Sequence, residues 1–135
     1  MDVKYLNLYN LFVKLTTNKN LYQSLSKQDT FSDRLTLFLF HFAFFLKVFK
    51  KNENTEILQE IYDFIFRQIE LSIREIGYGD QSINKKMKDY INIFHGIVST
   101  IHFWEKMDYN KREEEITIYL KAVSYTHLTL PTTPY

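Results

Sequence analysis

Residues 35–46 read Leu-Thr-Leu-Phe-Leu-Phe-His-Phe-Ala-Phe-Phe-Leu, and a helix drawn through them offers no continuous polar face. Such a helix cannot lie on the surface of a domain, because each Phe left in water forgoes about 1.5–3 kcal/mol of burial. It must either cross a membrane or be surrounded by protein. A spanning helix needs about 20 apolar residues. This run is shorter, is interrupted by His41, and is closed by Lys47, Lys50 and Lys51. The sequence therefore predicts a buried central helix over 30–51, and the rest of the chain has to wrap it.

The wrapping elements are legible as helical stripes. In 3–15 the apolar residues Leu8, Leu11, Phe12 and Leu15 share a face, with Tyr5 and Tyr9 beside it. In 56–76, Leu58, Tyr62, Ile65, Ile69, Ile73 and Ile76 follow three- and four-residue steps. In 83–105, Ile83, Met87, Tyr90, Phe94, Ile97, Ile101 and Trp104 do the same. A last helix over 113–123 turns Ile116, Tyr119, Leu120 and Val123 inward, preceded by a capped loop at 108–111. Residues 18–27 read as a connector with a helical turn at 21–25, Asp29 or Thr30 caps the central helix, and Asn54 or Thr55 caps the next. No stretch alternates apolar and polar residues as a half-buried strand would. The predicted fold is all-α, a single domain of five or six helices, with 56–76 and 83–105 forming an αα-hairpin across the aromatic helix.

A chain of 135 residues is large enough to bury such a core without staples. Cysteine is absent, which removes disulfides and thiolate metal sites. A net charge of +1 does not fit a domain that wraps itself in nucleic acid, so DNA is not an expected partner. His95 and His102 share a helix face, yet their seven-residue spacing is not that of a paired helical metal site. There is no phosphate-binding loop, dinucleotide fingerprint or nucleophile elbow. No catalytic residue, metal ligand or cofactor is called for, and the chain reads as a non-enzyme.

The join between the two best amphipathic stripes carries the distinctive wording. Residues 73–88 read Ile-Arg-Glu-Ile-Gly-Tyr-Gly-Asp-Gln-Ser-Ile-Asn-Lys-Lys-Met-Lys. Gly77 stands where a left-handed helix end is wanted, and Asp80 or Ser82 is expected to cap the following helix. Lys85, Lys86 and Lys88 then fall in the first turns of that helix, where positive charge is unfavourable by about 0.3–1 kcal/mol per residue. Either Asp80, Asp89 and solvent neutralise them, or they form a basic ridge for an acidic or phosphate-bearing partner.

This segment resembles the ubiquinol–cytochrome c chaperone family, assembly factors of the ubiquinol–cytochrome c reductase. Its recurring phrase is close to L-R-E-M-G-V-G-D followed by K-K/R-M/V-K. The matching residues here are Arg74, Glu75, Gly77, Gly79, Asp80, Lys85, Lys86, Met87 and Lys88, with Ile76 replacing the methionine. A second block, Leu21-Tyr22-Gln23-Ser24-Leu25 followed by Asp29-Thr30 and Phe31-Ser32-Asp33-Arg34, is similar to the family's F-Y … D-T … D-G-R-F-D. In that block Ser32 replaces the glycine, Leu35 the phenylalanine and Thr36 the second aspartate. The resemblance spans roughly 3–122. It implies a non-catalytic chaperone for newly made cytochrome b, working in mitochondrial members with a small partner protein near the ribosome. Carried onto this chain, it assigns partner contact to Gly77, Gly79, Asp80, Lys85, Lys86 and Lys88, and corner shaping to Arg74, Glu75, Asp33 and Arg34.

Two rival classes are kept. One is a peripheral membrane module seated through 38–49 and its flanking lysines. The other is a small helical enzyme with an apolar pocket containing His41. The start, Met1-Asp2-Val3-Lys4, shows neither a secretory signal nor an arginine-rich presequence, so a bacterial cytoplasmic location, with contact at the inner membrane periphery, is the expectation. The wording changes near residue 123, after which both prolines and a burst of threonine appear. Residues 124–135 resemble translated sequencing adapter, so the expected domain is 1–123, lacking its true C-terminus, followed by an unstructured tail.

Overall fold

The structure, a computed structural model, describes residues 5–16, 31–50 and 54–128. Five α-helices make up the fold among these residues: α1 (Leu6–Thr16), α2 (Phe31–Phe49), α3 (Thr55–Ile76), α4 (Asp80–His102) and α5 (Tyr109–Leu128). A single 3-10 turn at Trp104–Lys106 links α4 to α5. The expected turn at 21–25, the caps at Asp29 and Thr30, and the end of the tail lie outside the described residues.

Helix α2 is the axis, packed on α1, α4 and α5. Leu39 and Phe42 are fully buried, and Phe38, Phe40 and Ala43 nearly so. Phe42 stacks on Phe94 of α4 at 5.2 Å, meets Phe12 of α1 at 5.9 Å, and lies 6.4 Å from Phe66 of α3. Phe40 points the other way, 5.8 Å from Tyr119 of α5 and 6.1 Å from Trp104. Rings directed to opposite sides are what an all-round apolar helix requires, and the offset and edge-on geometries are those aromatic pairs prefer. No helix of the described residues is long and apolar enough to cross a membrane. Two polar side chains within α2 are met by the helix's own backbone. Thr36 donates to the Ser32 carbonyl at 2.8 Å, and His41 Nδ1 donates to that of Leu37 at 2.7 Å.

The helix ends follow from particular residues. Asp108 Oδ1 accepts the Lys111 amide at 2.7 Å, the N-cap geometry that starts α5. Asn54 occupies the cap position of α3 but is turned elsewhere: its amide donates to the Phe49 carbonyl and closes the α2–α3 connection. Lys47 fastens the far end of α2 to α4, reaching the Ile101 carbonyl at 2.9 Å and Glu105 at 2.6 Å. The same lysine holds the Glu105 carboxyl below its ordinary range.

Three expectations are corrected. Leu11 and Leu15 are exposed, because the buried stripe is Tyr5, just ahead of α1, with Phe12 and Thr16 in the helix and Tyr9 half-buried. Tyr5 secures that orientation, its ring 6.1 Å from Phe64 and its hydroxyl 3.1 Å from Glu60. Ile76 is also exposed, as the last residue of α3. Finally, α5 does not stop at 123 but continues through Leu128, with Thr126 buried. The physical reason lies in α4, at Lys86.

Two packing details yield predictions. A Cβ on Gly96 would lie 2.9 Å from the Tyr119 hydroxyl and 3.2 Å from its ring, so α5 approaches α4 here because the side chain is missing. Gly96→Val should lower stability by about 1–3 kcal/mol. A double-mutant cycle with Tyr119→Leu in urea should show that most of this cost is coupling between the two sites. Tyr90 is fully buried, and its hydroxyl has no hydrogen-bond partner among the described residues. Burial accordingly raises its pKa. Removing the orphan in Tyr90→Phe should stabilise by about 1 kcal/mol, seen as a higher urea midpoint.

Candidate functional site

The corner between α3 and α4 is built by its backbone first. Gly77 has φ 108°, in the left-handed region that disfavours a side chain, and its amide bonds the Arg74 carbonyl at 3.0 Å. Gly79 is different. It is extended at φ −74°, ψ 164°, and its carbonyl accepts the Ile83 amide at 2.9 Å. Any residue can adopt that conformation, and a Cβ there would meet nothing within 4 Å. The fold needs glycine at 77 but not at 79.

Side chains then brace the corner. Arg74 pairs with Asp80 at 2.6 Å and with Glu70 at 3.3 Å, and these bonds, chiefly the one to Asp80, raise its pKa. The expectation that Asp80 or Ser82 caps α4 is corrected. Gly79 holds the cap position with no side-chain bond, and the Asp80 carboxylate is spent on Arg74. As the first residue of α4, Asp80 still lies where a negative charge suits the helix dipole. Glu75 is exposed on the last turn of α3.

The expected lysine ridge is divided. Lys85 and Lys88 are exposed, Lys85 lying 3.5 Å from Asp89. Lys86 is only 3% exposed and turns inward. Its ammonium donates to the carbonyls of Thr126 and His127 and sits 4.6 Å above the Tyr78 ring. Burial lowers its pKa. These carbonyls belong to the last turn of α5, where a cation complements both the unmet acceptors and the dipole. The Tyr78 hydroxyl donates to the same His127 carbonyl at 2.8 Å. The corner and Lys86 together hold the end of α5, which is why the helix passes the expected boundary at 123.

On the outer surface, Arg74, Lys85 and Lys88 are interleaved with Glu70, Glu75, Asp80 and Asp89. The carboxylates at least match the cations. That mixture suits a polar protein surface better than a phosphate-rich partner. Asp33 and Arg34 are placed on the first turn of α2. Asp33 is buried, and Arg34 lines an apolar pocket between α1, α2 and α3. His41 is not among the residues lining that pocket. No group of three or more His, Cys, Asp or Glu among the described residues could hold a metal ion.

Sequence reasoning passed over Tyr78 and the inward turn of Lys86. A signal for the latter was present. Position 86 lies three residues after Ile83 and four before Tyr90, on the buried stripe of α4.

No curated protein and no solved structure matches the chain. A family comparison does match, over residues 23–102, more than half of the chain, taking in all of α2 and α3, the corner and the whole of α4. The buried aromatic axis, the helical hairpin and the glycine corner all fall inside that match, and the chain belongs to the ubiquinol-cytochrome C chaperone family.

Proposed function

We propose that the chain binds newly made cytochrome b during assembly of the ubiquinol–cytochrome c reductase, without catalysing a reaction. The contact runs through the outer surface of the α3–α4 corner, with Gly79, Asp80, Lys85 and Lys88 facing the client. The observation that carries this reading is Gly79. Its backbone is ordinary and its surroundings are empty, so nothing inside the fold asks for glycine there. A partner surface pressed against the corner would ask for it, because a side chain at 79 would hold the partner off. The mixed charges around it favour protein over RNA or lipid headgroups as the contacting surface. Lys86 is withdrawn from the contact set, its ammonium being committed to α5. A small partner protein and the ribosome belong to the same proposal, as does a cytoplasmic setting at the membrane periphery.

The test is co-isolation of cytochrome b with a tagged chain in cells assembling the reductase. Gly79→Leu should leave thermal unfolding unchanged and abolish co-isolation. Co-isolation unaffected by Gly79→Leu and by Lys85→Glu with Lys88→Glu would move the contact off this corner. Retention on protein-free anionic vesicles with no cytochrome b recovered would favour the membrane-module reading instead.

A further inference from the structure

The end of the bundle opposite the corner has a different surface chemistry. There the last turn of α2 lies against the 3-10 turn that follows α4. Phe44 meets Trp104 edge-on at 5.4 Å, and Lys47 joins the two elements through the Ile101 carbonyl and Glu105. Around this joint Val48 is 69% exposed, Phe49 52% and Phe103 51%. Single apolar side chains in water are ordinary, but three large ones on joined elements form a patch. Cations are set among them. Lys50 and Lys106 are exposed, and the Lys106 ammonium lies 5.9 Å from the centre of the Phe103 ring. The nearby carboxylates are engaged, Glu105 by Lys47 and Asp108 by the Lys111 amide that begins α5.

Exposed rings with lysines beside them suit a lipid surface better than a folded protein, since lysine is depleted where protein faces protein. At a bilayer the rings reach the acyl boundary, while the long lysine stems keep their ammonium groups at anionic headgroups. No helix of the described residues is long and apolar enough to cross, so the contact is with one leaflet. From the rings, the lysines and their shared place in the fold, we propose that this end of the bundle docks on an anionic lipid surface. Phe49 and Phe103 enter the interface, and Lys50 and Lys106 meet the headgroups. The inference gives a surface to the membrane-periphery setting proposed above and rests on that setting, not on the corner. Helix α4, with 23 residues, separates the two ends by about 35 Å, so lipid and client are met at opposite ends.

The experiment is co-sedimentation of the full chain with vesicles of mixed phosphatidylglycerol and phosphatidylcholine, and in parallel with phosphatidylcholine alone. Binding to the mixed vesicles is expected, and little to the neutral ones. Lys50→Gln with Lys106→Gln should weaken it about thirtyfold, the effect of two lysines at an anionic surface. Phe49→Ser with Phe103→Ser should abolish it and leave the urea midpoint close to that of the wild type. Arg67→Gln with Lys121→Gln, which removes two exposed cations elsewhere, should change it little. Equal binding to the two kinds of vesicle, or binding unaltered by both the lysine and the phenylalanine pairs, would overturn the proposal. Self-association abolished by the phenylalanine pair, without vesicle binding, would assign the patch to a second copy and overturn it too. Recovery of the chain with cell membranes but not with mixed vesicles would overturn this surface and leave the membrane-periphery setting standing.

Discussion

Phe42→Ala should cost about 3–5 kcal/mol, the range for emptying a fully buried aromatic site. Phe42 has no exposed surface and touches rings on three other helices, Phe12, Phe66 and Phe94, so no single neighbour can collapse into the space. Domains have a total stability of about 5–15 kcal/mol, so the variant keeps little margin. In urea, with a slope of about 1–3 kcal/mol per molar, its midpoint should fall by about 2 M or its transition should lose cooperativity. Phe49→Ala is the matched control. That ring is half in water, on the last turn of the same helix, and its loss should move the midpoint by a small fraction of that amount. Equal effects of the two substitutions would mean that α2 is not the enclosed axis described above.

Lys86→Met is the second large effect, and it separates a structural lysine from a surface one. The substitution keeps the buried stem and deletes the ammonium, leaving the Thr126 and His127 carbonyls without that donor. The His127 carbonyl keeps the Tyr78 hydroxyl, so the cost is that of the lost donor at Thr126, about 1–3 kcal/mol, against which the relief of desolvating a cation must be set. A net loss of about 2 kcal/mol is expected, with hydrogen-exchange protection lost first in the last turns of α5. Lys85→Met, on the exposed side of the same helix turn, should change stability by no more than about 0.5 kcal/mol.

The pH dependence supplies a sign. Burial lowers the Lys86 pKa below its ordinary value of 10.5, so between the folded pKa and that value the unfolded chain binds more protons. The wild type should therefore gain stability relative to Lys86→Met as pH rises through that window. A flat difference would place the ammonium in water.

Much of this architecture was legible because hydrophobic pattern and burial are tied by geometry. The run from Leu35 to Leu46 had to be enclosed, and the stripe from Ile83 to Ile101 had to face it. What escaped were choices between neighbouring stripes and between alternative polar partners. In α1, Leu8, Leu11, Phe12 and Leu15 form as regular a pattern as Tyr5, Tyr9, Phe12 and Thr16. Tertiary contacts of Tyr5 with Phe64 and Glu60 decide between them, and a single helix does not contain that information. Asp80 was a sound cap candidate by residue type, yet a guanidinium across the corner outbid the amides. Lys86 was read by its charge when its position on the stripe was the better guide. The glycine corner itself was fully readable at Gly77, where a left-handed backbone leaves one residue type. At Gly79 only the structure reveals that the fold places no such demand.

We propose that the chain, a member of the ubiquinol-cytochrome C chaperone family, serves assembly of the reductase through its cytochrome b. The most direct measurement is a gene deletion in the source organism, or in a bacterial relative carrying the gene, followed by reduced-minus-oxidised spectra of the membranes. Cytochrome b should fall selectively against the other haems, and should return with the wild-type gene but not with Gly79→Leu. Normal cytochrome b in the deletion strain, under conditions that demand respiration through the reductase, would contradict the account.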